Sequence, residues 1–281
     1  MWGAPPYAEN TATFGGKVVS LISVEGILYA IGGFWTPANA AAPARTSGSG
    51  PLHSLAWSSD LGSSWQIAPW STQTMLGTFL NFGRDNLGAI DSYVYIYYTR
   101  MGDTQRVFLK RVMADRLRSD PNIPGAYQYL SAVDPRGGAA WSSSEADAAA
   151  VFSDPNNVDN PEVIYDRQLR RYLLAVGHYP SGNYADASVG QLGIFEAQHP
   201  WGPWATVGYY DEWGGYGRAA AGDFLGVHLP NKWISDHGKT RWAIFSGLHE
   251  LDSYNLARAR LKVHRWTYWL RALVARAEAT P

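Results

Sequence analysis

Acidic side chains beside strand-like runs are the residues best suited to chemistry in this sequence. Asp91 directly precedes the run SYVYIYY, and Glu162 lies within the run PEVIY. Both runs are predicted to be the innermost strands of their sheets. Two neighbouring carboxylates can cleave a glycosidic bond when one is kept protonated as the acid. They must lie about 5–5.5 Å apart for retention of configuration, or about 6.5–9.5 Å apart for inversion. Asp91 and Glu162 are the predicted catalytic pair, and Asp159 stands just before the second of them.

Polar and aromatic side chains near the same runs are predicted to bind a substrate. They are Lys232, Trp233, His178, Tyr179, Arg84 and Asn160. A structural role is the simpler alternative for several of these residues. Asp91 would then cap the turn in GAIDSY, Glu162 would be a solvated strand residue, and His178 would be a hydrogen-bonded structural histidine.

Three functions remain open on these residues. The first is a glycoside hydrolase that uses the two carboxylates. The second is a polysaccharide lyase with His178 or Tyr179 as the base and Lys232 or Arg84 neutralising a uronate. The third is a non-catalytic propeller that binds a glycan or a protein. No cofactor is required, although the oxygen-rich stretch DPNNVDNPE (154–162) could hold Ca²⁺ without having EF-hand spacing.

The composition restricts the partners. The 281 residues carry a formal net charge of −1, with 17% charged residues, which argues against a nucleic-acid or anionic-membrane partner. Cysteine is absent, so disulfides and thiolate metal sites are excluded. No apolar run approaches the ~18–20 residues that span a bilayer. The N-terminus, MWGAPPYAEN, lacks signal-peptide features, so an extracellular or periplasmic location is expected only for a mature form.

The elements that must position these side chains are almost all strands. Runs rich in β-branched and aromatic residues fall into four groups that begin near residues 17, 78, 158 and 223. Groups of three or four strands at this spacing predict an all-β fold, a β-propeller, with a β-sandwich as the rival. We expect residues 1–281 to form one domain. Short helices are predicted only at 113–119, 142–152 and, as a C-terminal helix, 266–279.

The stretch WSSDLGSSW (57–65) is predicted to be a turn between two strands. Asp60 can accept bonds from backbone N–H groups, and Gly62 can adopt a positive φ. The pattern resembles the Asp-box, a hairpin motif of sialidases and other propellers, in which the aspartate lies away from the active centre. A looser copy, SDHGKTRW, stands at 235–242.

Longer phrases resemble a bacterial family of β-propeller proteins of the glycoside-hydrolase kind, long catalogued as a domain of unknown function, which includes endo-D-arabinanases. The matching phrases are LISVEGILYAIGG (21–33), LAWSSDLGSSW (55–65), FLNFGRDNLGAIDSYVYIYY (79–98), VFLKRVMADRL (107–117), IYDRQLRRYLL (164–174), IFEAQHPWGPWATVGYY (194–210) and KWISDHGKTRWAIFSG (232–247). The resemblance implies five blades with an active site at the channel mouth. Only 16 residues precede KVVSLISV, so the opening blade, which carries an acidic residue in the family, is expected to be truncated or absent.

Overall fold

The structure, a computed structural model, describes residues 15–35, 53–72, 75–100, 102–134, 136–178, 191–210, 225–246 and 255–262. These residues form a β-propeller with four blades, and each blade is an antiparallel sheet. The predicted C-terminal helix at 266–279 lies outside the described residues. The five-bladed type also stays a prediction, because the described residues form four blades.

Blades 1 and 2 are built from consecutive strands. The strands of blade 1 are β1 (Gly15–Val24), β2 (Ile27–Trp35), β3 (Ser54–Ser58) and β4 (Gln66–Ile67). Those of blade 2 are β5 (Met75–Phe79), β6 (Tyr93–Arg100), β7 (Asp103–Met113), β8 (Gln128–Val133), β9 (Ala139–Ser142) and β10 (Ala150–Ser153). In blade 2, β10 pairs with the first part of β7 and β8 with a later part, so both follow the same strand.

Blades 3 and 4 continue the same pattern. The strands of blade 3 are β11 (Asp159–Asp166), β12 (Arg171–Gly177), β13 (Leu192–Ala197) and β14 (Ala205–Tyr210). Those of blade 4 are β15 (Leu225–His228), β16 (Ile234–Ser235), β17 (Thr240–Ser246) and β18 (Asn255–Arg260). Both β15 and β16 pair with β17, so they act as one interrupted strand. The four blades begin close to the four predicted starting points.

The first strands of the blades run in the same direction around a shared axis. Asn81, just after β5, forms a parallel bridge with Ile164 in β11. The Phe79 N–H donates to Ser20 Oγ of β1 at 2.9 Å. The Leu229 N–H, just after β15, donates to Glu162 Oε1 of β11 at 2.8 Å. We call the end of the axis where these inner strands begin the N-terminal mouth, and the end where they finish the C-terminal mouth.

Apolar cores between neighbouring blades hold the propeller together. Alternation along β11 shows the pattern, because successive strand residues point to opposite faces of a sheet. Val163 packs with Leu80 in the core between blades 2 and 3. Ile164 packs with Val227 in the core between blades 3 and 4. A third core, which includes Ile22 and Ile96, joins blades 1 and 2.

The structure corrects the expected secondary structure in blade 2. The run SYVYIYY was assigned to an innermost strand, but β5 takes that position and SYVYIYY forms β6, the second strand. The helix predicted at 142–152 is wrong: this segment holds a 3-10 turn at Glu145–Asp147 and then β10. The backbone of β10 pairs with β7 instead of forming a helix. The segment 113–119 forms only a 3-10 turn, Ala114–Arg116.

The hairpin at 57–65 joins β3 to β4 and makes the bonds predicted for it. Asp60 Oδ1 accepts from the Ser64 N–H at 2.8 Å and from Ser58 Oγ at 2.7 Å. Gly62 has φ 92°, and Trp65 Nε1 donates to the Gly62 carbonyl at 3.1 Å. Asp60 is therefore a turn residue on the outer strands of its blade.

The looser copy at 235–242 forms a different kind of turn. It joins β16 to β17, so it follows an inner strand instead of linking outer ones. The Asp236 carbonyl accepts from the Lys239 N–H at 3.1 Å, while the Asp236 carboxylate contacts Arg260 at 3.2 Å. The two similar sequences therefore form different hairpins.

No helix in the described part of the chain is long and apolar enough to span a bilayer.

Candidate functional site

Glu162 lies in the first half of β11, the innermost strand of blade 3, and its side chain points towards blade 4. Its Oε1 accepts from the Leu229 N–H at 2.8 Å, and its Oε2 is hydrogen-bonded to His228 Nδ1. The Glu162 side chain is 16% exposed and that of His228 is 51% exposed. Glu162 is therefore anchored to the neighbouring blade, unlike the solvated strand residue that was the simpler alternative.

The His228 imidazole responds to this carboxylate. The hydrogen bond to Glu162 raises the pKa of His228 above its usual 6.5, although burial opposes that change. A charge on Glu162 adds to the same upward shift. A histidine tuned in this way can change its protonation state near neutral pH. Because His228 was not among the predicted site residues, the structure adds it, and its only sequence signal was the run DFLGVHL.

Asp159 opens β11 and has a different environment. Burial raises its pKa to about 6, against the opposing effect of hydrogen bonds from Asn160. The Asn160 side-chain amide donates to Asp159 Oδ2 at 2.9 Å, and Asn160 adopts φ 42°. A carboxyl group with a raised pKa at the start of an inner strand is suited to donate a proton. Its position before PEVIY was the signal in the sequence, but Asp91 was preferred as the partner of Glu162.

Asp91 has partners in its own blade. Its Oδ1 accepts from the Tyr93 N–H at 2.9 Å, and its Oδ2 accepts from the Tyr95 hydroxyl at 2.6 Å. Tyr95 belongs to the core between blades 2 and 3, whereas Glu162 faces blade 4. Asp91 thus caps the turn before β6, as the structural alternative proposed.

The register separates Asp91 from Glu162 along the axis as well. Ile164 is level with Asn81, and Glu162 precedes Ile164 towards the N-terminal mouth. Asp91 lies in the connection that follows β5, beyond Asn81 and towards the C-terminal mouth. No contact among the described residues joins the two carboxylates. Asp159 shares an inner strand with Glu162, and Asp91 does not.

The predicted substrate-binding residues fall into two groups. Asn231 Nδ2 donates to the Asn81 carbonyl at 2.7 Å, which places this part of blade 4 level with Asn81. Lys232 and Trp233 follow Asn231 and are exposed, and Arg84 is exposed at the start of the 3-10 turn Arg84–Asn86 after β5. These three residues are therefore on the C-terminal side of the Asn81 level, whereas Asn160 is at the N-terminal mouth.

His178 lies at the end of β12, next to the start of β11, but its side chain is buried. Its ring stacks on Tyr209 with centroids 4.2 Å apart and planes 14° apart. The Tyr209 hydroxyl in turn donates to Asp154 Oδ2 at 2.9 Å. This packing fits the structural role considered for His178. Tyr179 lies outside the described residues.

Oxygen atoms in the stretch 154–162 accept hydrogen bonds from groups of the protein. Asp154 accepts from the Asn156 N–H at 2.9 Å as well as from Tyr209. Thr104 Oγ1 donates to Asn157 Oδ1 at 2.6 Å. Across the described ranges, no group of three or more His, Cys, Asp or Glu side chains is arranged to hold a metal ion.

Comparisons with known proteins inform the fold. No family model and no curated protein sequence matches the chain. Among solved structures, a candidate hydrolase from Bacteroides ovatus is similar, with 13% identity and a TM-score of 0.51 over 92% of this chain and 63% of its own. An N-acetylgalactosamine deacetylase from F. plautii, solved with blood group B trisaccharide, has 11% identity and a TM-score of 0.52 over 91% of this chain and 69% of its own.

A third similar structure is an α-L-arabinanase from Cellvibrio cellulosa with bound arabinohexaose. It has 11% identity and a TM-score of 0.47, and the alignment covers 95% of this chain and 81% of that one. The alignment with the Bacteroides ovatus protein covers 63% of that protein, so this chain spans less than two thirds of its length. At these identities the likeness concerns the fold alone, which is that of a β-propeller.

Proposed function

We propose that this propeller binds an oligosaccharide or polysaccharide at its N-terminal mouth and hydrolyses a glycosidic bond there. Asp159 acts as the general acid, and Glu162 acts as the base or nucleophile. The observation that carries the proposal is the placing of these two carboxyl groups on one innermost strand in unlike surroundings. Asp159 is partly buried with a pKa of about 6, and Glu162 accepts two hydrogen bonds from blade 4.

The chemistry follows from that difference. A carboxylic acid that keeps its proton until about pH 6 can donate it to the departing sugar oxygen. A second carboxylate fixed by N–H donors can attack the sugar, or activate a water molecule that does so. Loss of the Asp159 proton gives an activity that falls as the pH rises above about 6.

Carbohydrate as the partner is supported by the F. plautii neighbour, which was solved with a trisaccharide. Inner-strand positions suit such a ligand because sites in propellers form around the central channel. Asp91 stays the alternative partner of Glu162. In that alternative, a bound substrate or a conformational change must bring together Asp91 and Glu162, which are hydrogen-bonded to different blades. Asp159 and Glu162 already lie on the same strand.

The test is release of reducing ends from a panel of neutral and acidic polysaccharides, with matched amide variants. We expect D159N and E162Q each to reduce turnover by at least about 10³-fold, because the acid–base or nucleophilic step is lost. D91N is the control and should keep most of the activity. Full activity in D159N or E162Q would contradict the assignment, and loss in D91N with retention in D159N would restore the Asp91–Glu162 pair.

A readout independent of turnover checks whether Glu162 governs the His228 imidazole. In the wild type, the His228 imidazole should titrate by NMR above pH 6.5. In E162Q that pKa should fall, because the charge and the strongest hydrogen bond on His228 are lost. An unchanged His228 pKa would show that Glu162 does not govern this imidazole.

Binding without cleavage is the second candidate function. It is favoured by the separate anchoring of Asp91 and Glu162, since two carboxylates that act together in catalysis would be expected to lie close to each other. The same panel distinguishes it from hydrolysis, because calorimetry would then detect a bound glycan while no reducing end is released. Release of unsaturated, ultraviolet-absorbing products would instead indicate the lyase.

A further inference from the structure

A cavity between blades 1 and 2 lies away from the carbohydrate site. It has a volume of about 30 Å³ and apolar walls that include Ile31, Leu55 and Ile96. Two titratable side chains, His53 and Lys110, also line it. The proposed carbohydrate site lies at the N-terminal mouth, on the inner strand of blade 3, so the proposed hydrolysis uses neither of these residues.

Lys110 contributes a buried cation to this cavity. It lies on β7, is 7% exposed, and its Nζ is 4.9 Å from the Tyr98 ring centroid. Burial lowers its pKa to about 8, so the ammonium form still dominates at pH 7. No ion pair of Lys110 is found within the described ranges. Glu145 is the acid that acts on it, and that carboxylate lies 3.6 Å from Arg100.

His53 contributes an imidazole without a partner. Its ring is 3% exposed, and neither ring nitrogen has a hydrogen-bond partner in the part of the chain that the structure describes. Burial, and then the charge of Lys110, lowers the pKa of His53 to about 4. The ring is therefore neutral at pH 7 and presents one N–H donor and one acceptor.

Among the described residues, both ring nitrogens of His53 lack a hydrogen-bond partner, and Lys110 has ring contacts with Tyr98 and Tyr127 but no ion pair. A buried ammonium and a buried imidazole N–H each cost free energy unless a hydrogen-bond acceptor is near, and the ammonium also needs a counter-charge. Water in a cavity of this size could accept the hydrogen bonds, but it would not neutralise the charge. A volume of about 30 Å³ is enough for a small ion.

We propose that this cavity binds a small monovalent anion, such as chloride or formate, between the Lys110 ammonium and the His53 imidazole. The anion completes the polar groups at the junction of blades 1 and 2. Because it binds only the folded chain, it stabilises the native state in proportion to the logarithm of its concentration. The proposal is independent of the carbohydrate site and stands or falls separately.

The test is thermal unfolding of the full chain in sodium formate or sodium chloride, against sodium gluconate at equal ionic strength. We expect Tm to rise with the logarithm of the anion concentration, by about 2–4 °C at ten times the dissociation constant. K110M should abolish that rise, because methionine keeps the apolar volume and removes the charge. K262M, at an exposed lysine, is the matched control and should respond like the wild type.

Direct binding is measured by broadening of the ³⁵Cl NMR line of chloride, which formate should reverse by competition. The wild type should broaden the line, and K110M should not. H53F is a second variant, expected to weaken binding, that keeps the test usable if K110M does not fold. A wild type that responds to chloride and formate as it does to gluconate would overturn the proposal, and so would equal broadening by folded K110M.

Discussion

Asp60 and Asp159 are the same residue type in opposite surroundings. Asp60 lies on an exposed hairpin of the outer strands, where bonds from Ser64 and Ser58 lower its pKa to about 2. Asp159 opens an innermost strand, where burial raises its pKa to about 6. The difference is in solvent and donors: Asp60 accepts several strong bonds in contact with water, whereas Asp159 accepts bonds from the side chain and backbone of Asn160 with little solvent around it.

This contrast separates two uses of a carboxylate in one fold. A carboxylate that is solvated and accepts hydrogen bonds from its own turn stabilises the backbone, and it is ionised at neutral pH, so it is not a proton donor. A carboxyl group deprived of water near neutral pH keeps a proton that can be transferred. The central strands of a propeller can supply the second environment, because both faces of each sheet are covered by neighbouring blades.

A third aspartate, Asp166, tests whether burial alone explains the contrast. Asp166 is fully buried at the end of β11, but Arg241 Nη2 donates to it and the Leu169 N–H adds a bond at 2.9 Å. We expect R241M to reduce the free energy of unfolding by about 3–5 kcal/mol, since it leaves a buried charge without its partner. Urea denaturation at pH 7 measures this loss.

The matched control for R241M is R260M in the same blade. Arg260 is 79% exposed and lies 3.2 Å from Asp236. Exposed ion pairs contribute about 0–1 kcal/mol, so R260M should change stability little. An equal loss of unfolding free energy in R241M and R260M would mean that burial does not increase the contribution of the Asp166–Arg241 pair to stability. Gly238 shows how tightly the Asp166–Arg241 pair is enclosed, because a Cβ at Gly238 would lie 2.8 Å from Asp166 Oδ2.

The second-largest effect is expected at Asp159, with the opposite sign. The folded-state pKa is raised above 3.8, so the native state binds this proton more tightly than the unfolded chain does. Wild-type stability should therefore fall as the pH rises from about 4 through about 6. D159N removes that titration and should be more stable than the wild type at pH 8 by about 1–3 kcal/mol.

Urea denaturation of the wild type and D159N at pH 4.5 and pH 8 measures this difference. The gain should be largest at pH 8 and small at pH 4.5. An equal effect of the substitution at both pH values would remove the evidence that Asp159 is poised to hold a proton, and with it the contrast to Asp60.

The smallest effect is expected at the hairpin. D60A removes the acceptor for the Ser64 N–H and both serine hydroxyls, so Tm at pH 7 should fall, but by less than in R241M. Because the Asp60 pKa is lowered, this stabilisation is complete above pH 3.8 and is lost only as the pH falls through about 2. Calorimetry at pH 7 checks the change in Tm.

D236A is the control from the looser copy of the motif. Its carboxylate contacts an exposed arginine instead of its own turn, so the substitution should leave Tm nearly unchanged. If D236A and D60A were equally destabilising, the two hairpins would be equivalent after all.

The sequence was a good guide to the blades and a poor guide to their inner strands. Strand-like runs gave the four starting points, because β-branched and aromatic residues favour sheets wherever they lie. The same signal could not identify the inner strand of blade 2. The aromatic run 92–98 is stronger than Met75–Phe79, yet the weaker run forms β5. The preference for Asp91 followed from that error.

The sequence alone determined the hydrogen bonds that form within short turns. The turn at 57–65 follows from serine, aspartate and glycine within a few positions, and Asp60 bonds to atoms no more than four residues away. Tertiary structure alone decided which carboxyl groups lose water and which distant groups they meet. Asp159 is desolvated by packing, and Glu162 meets His228 from another blade. Burial and long-range pairing depend on how sheets assemble around an axis, and no short stretch of residues encodes that arrangement.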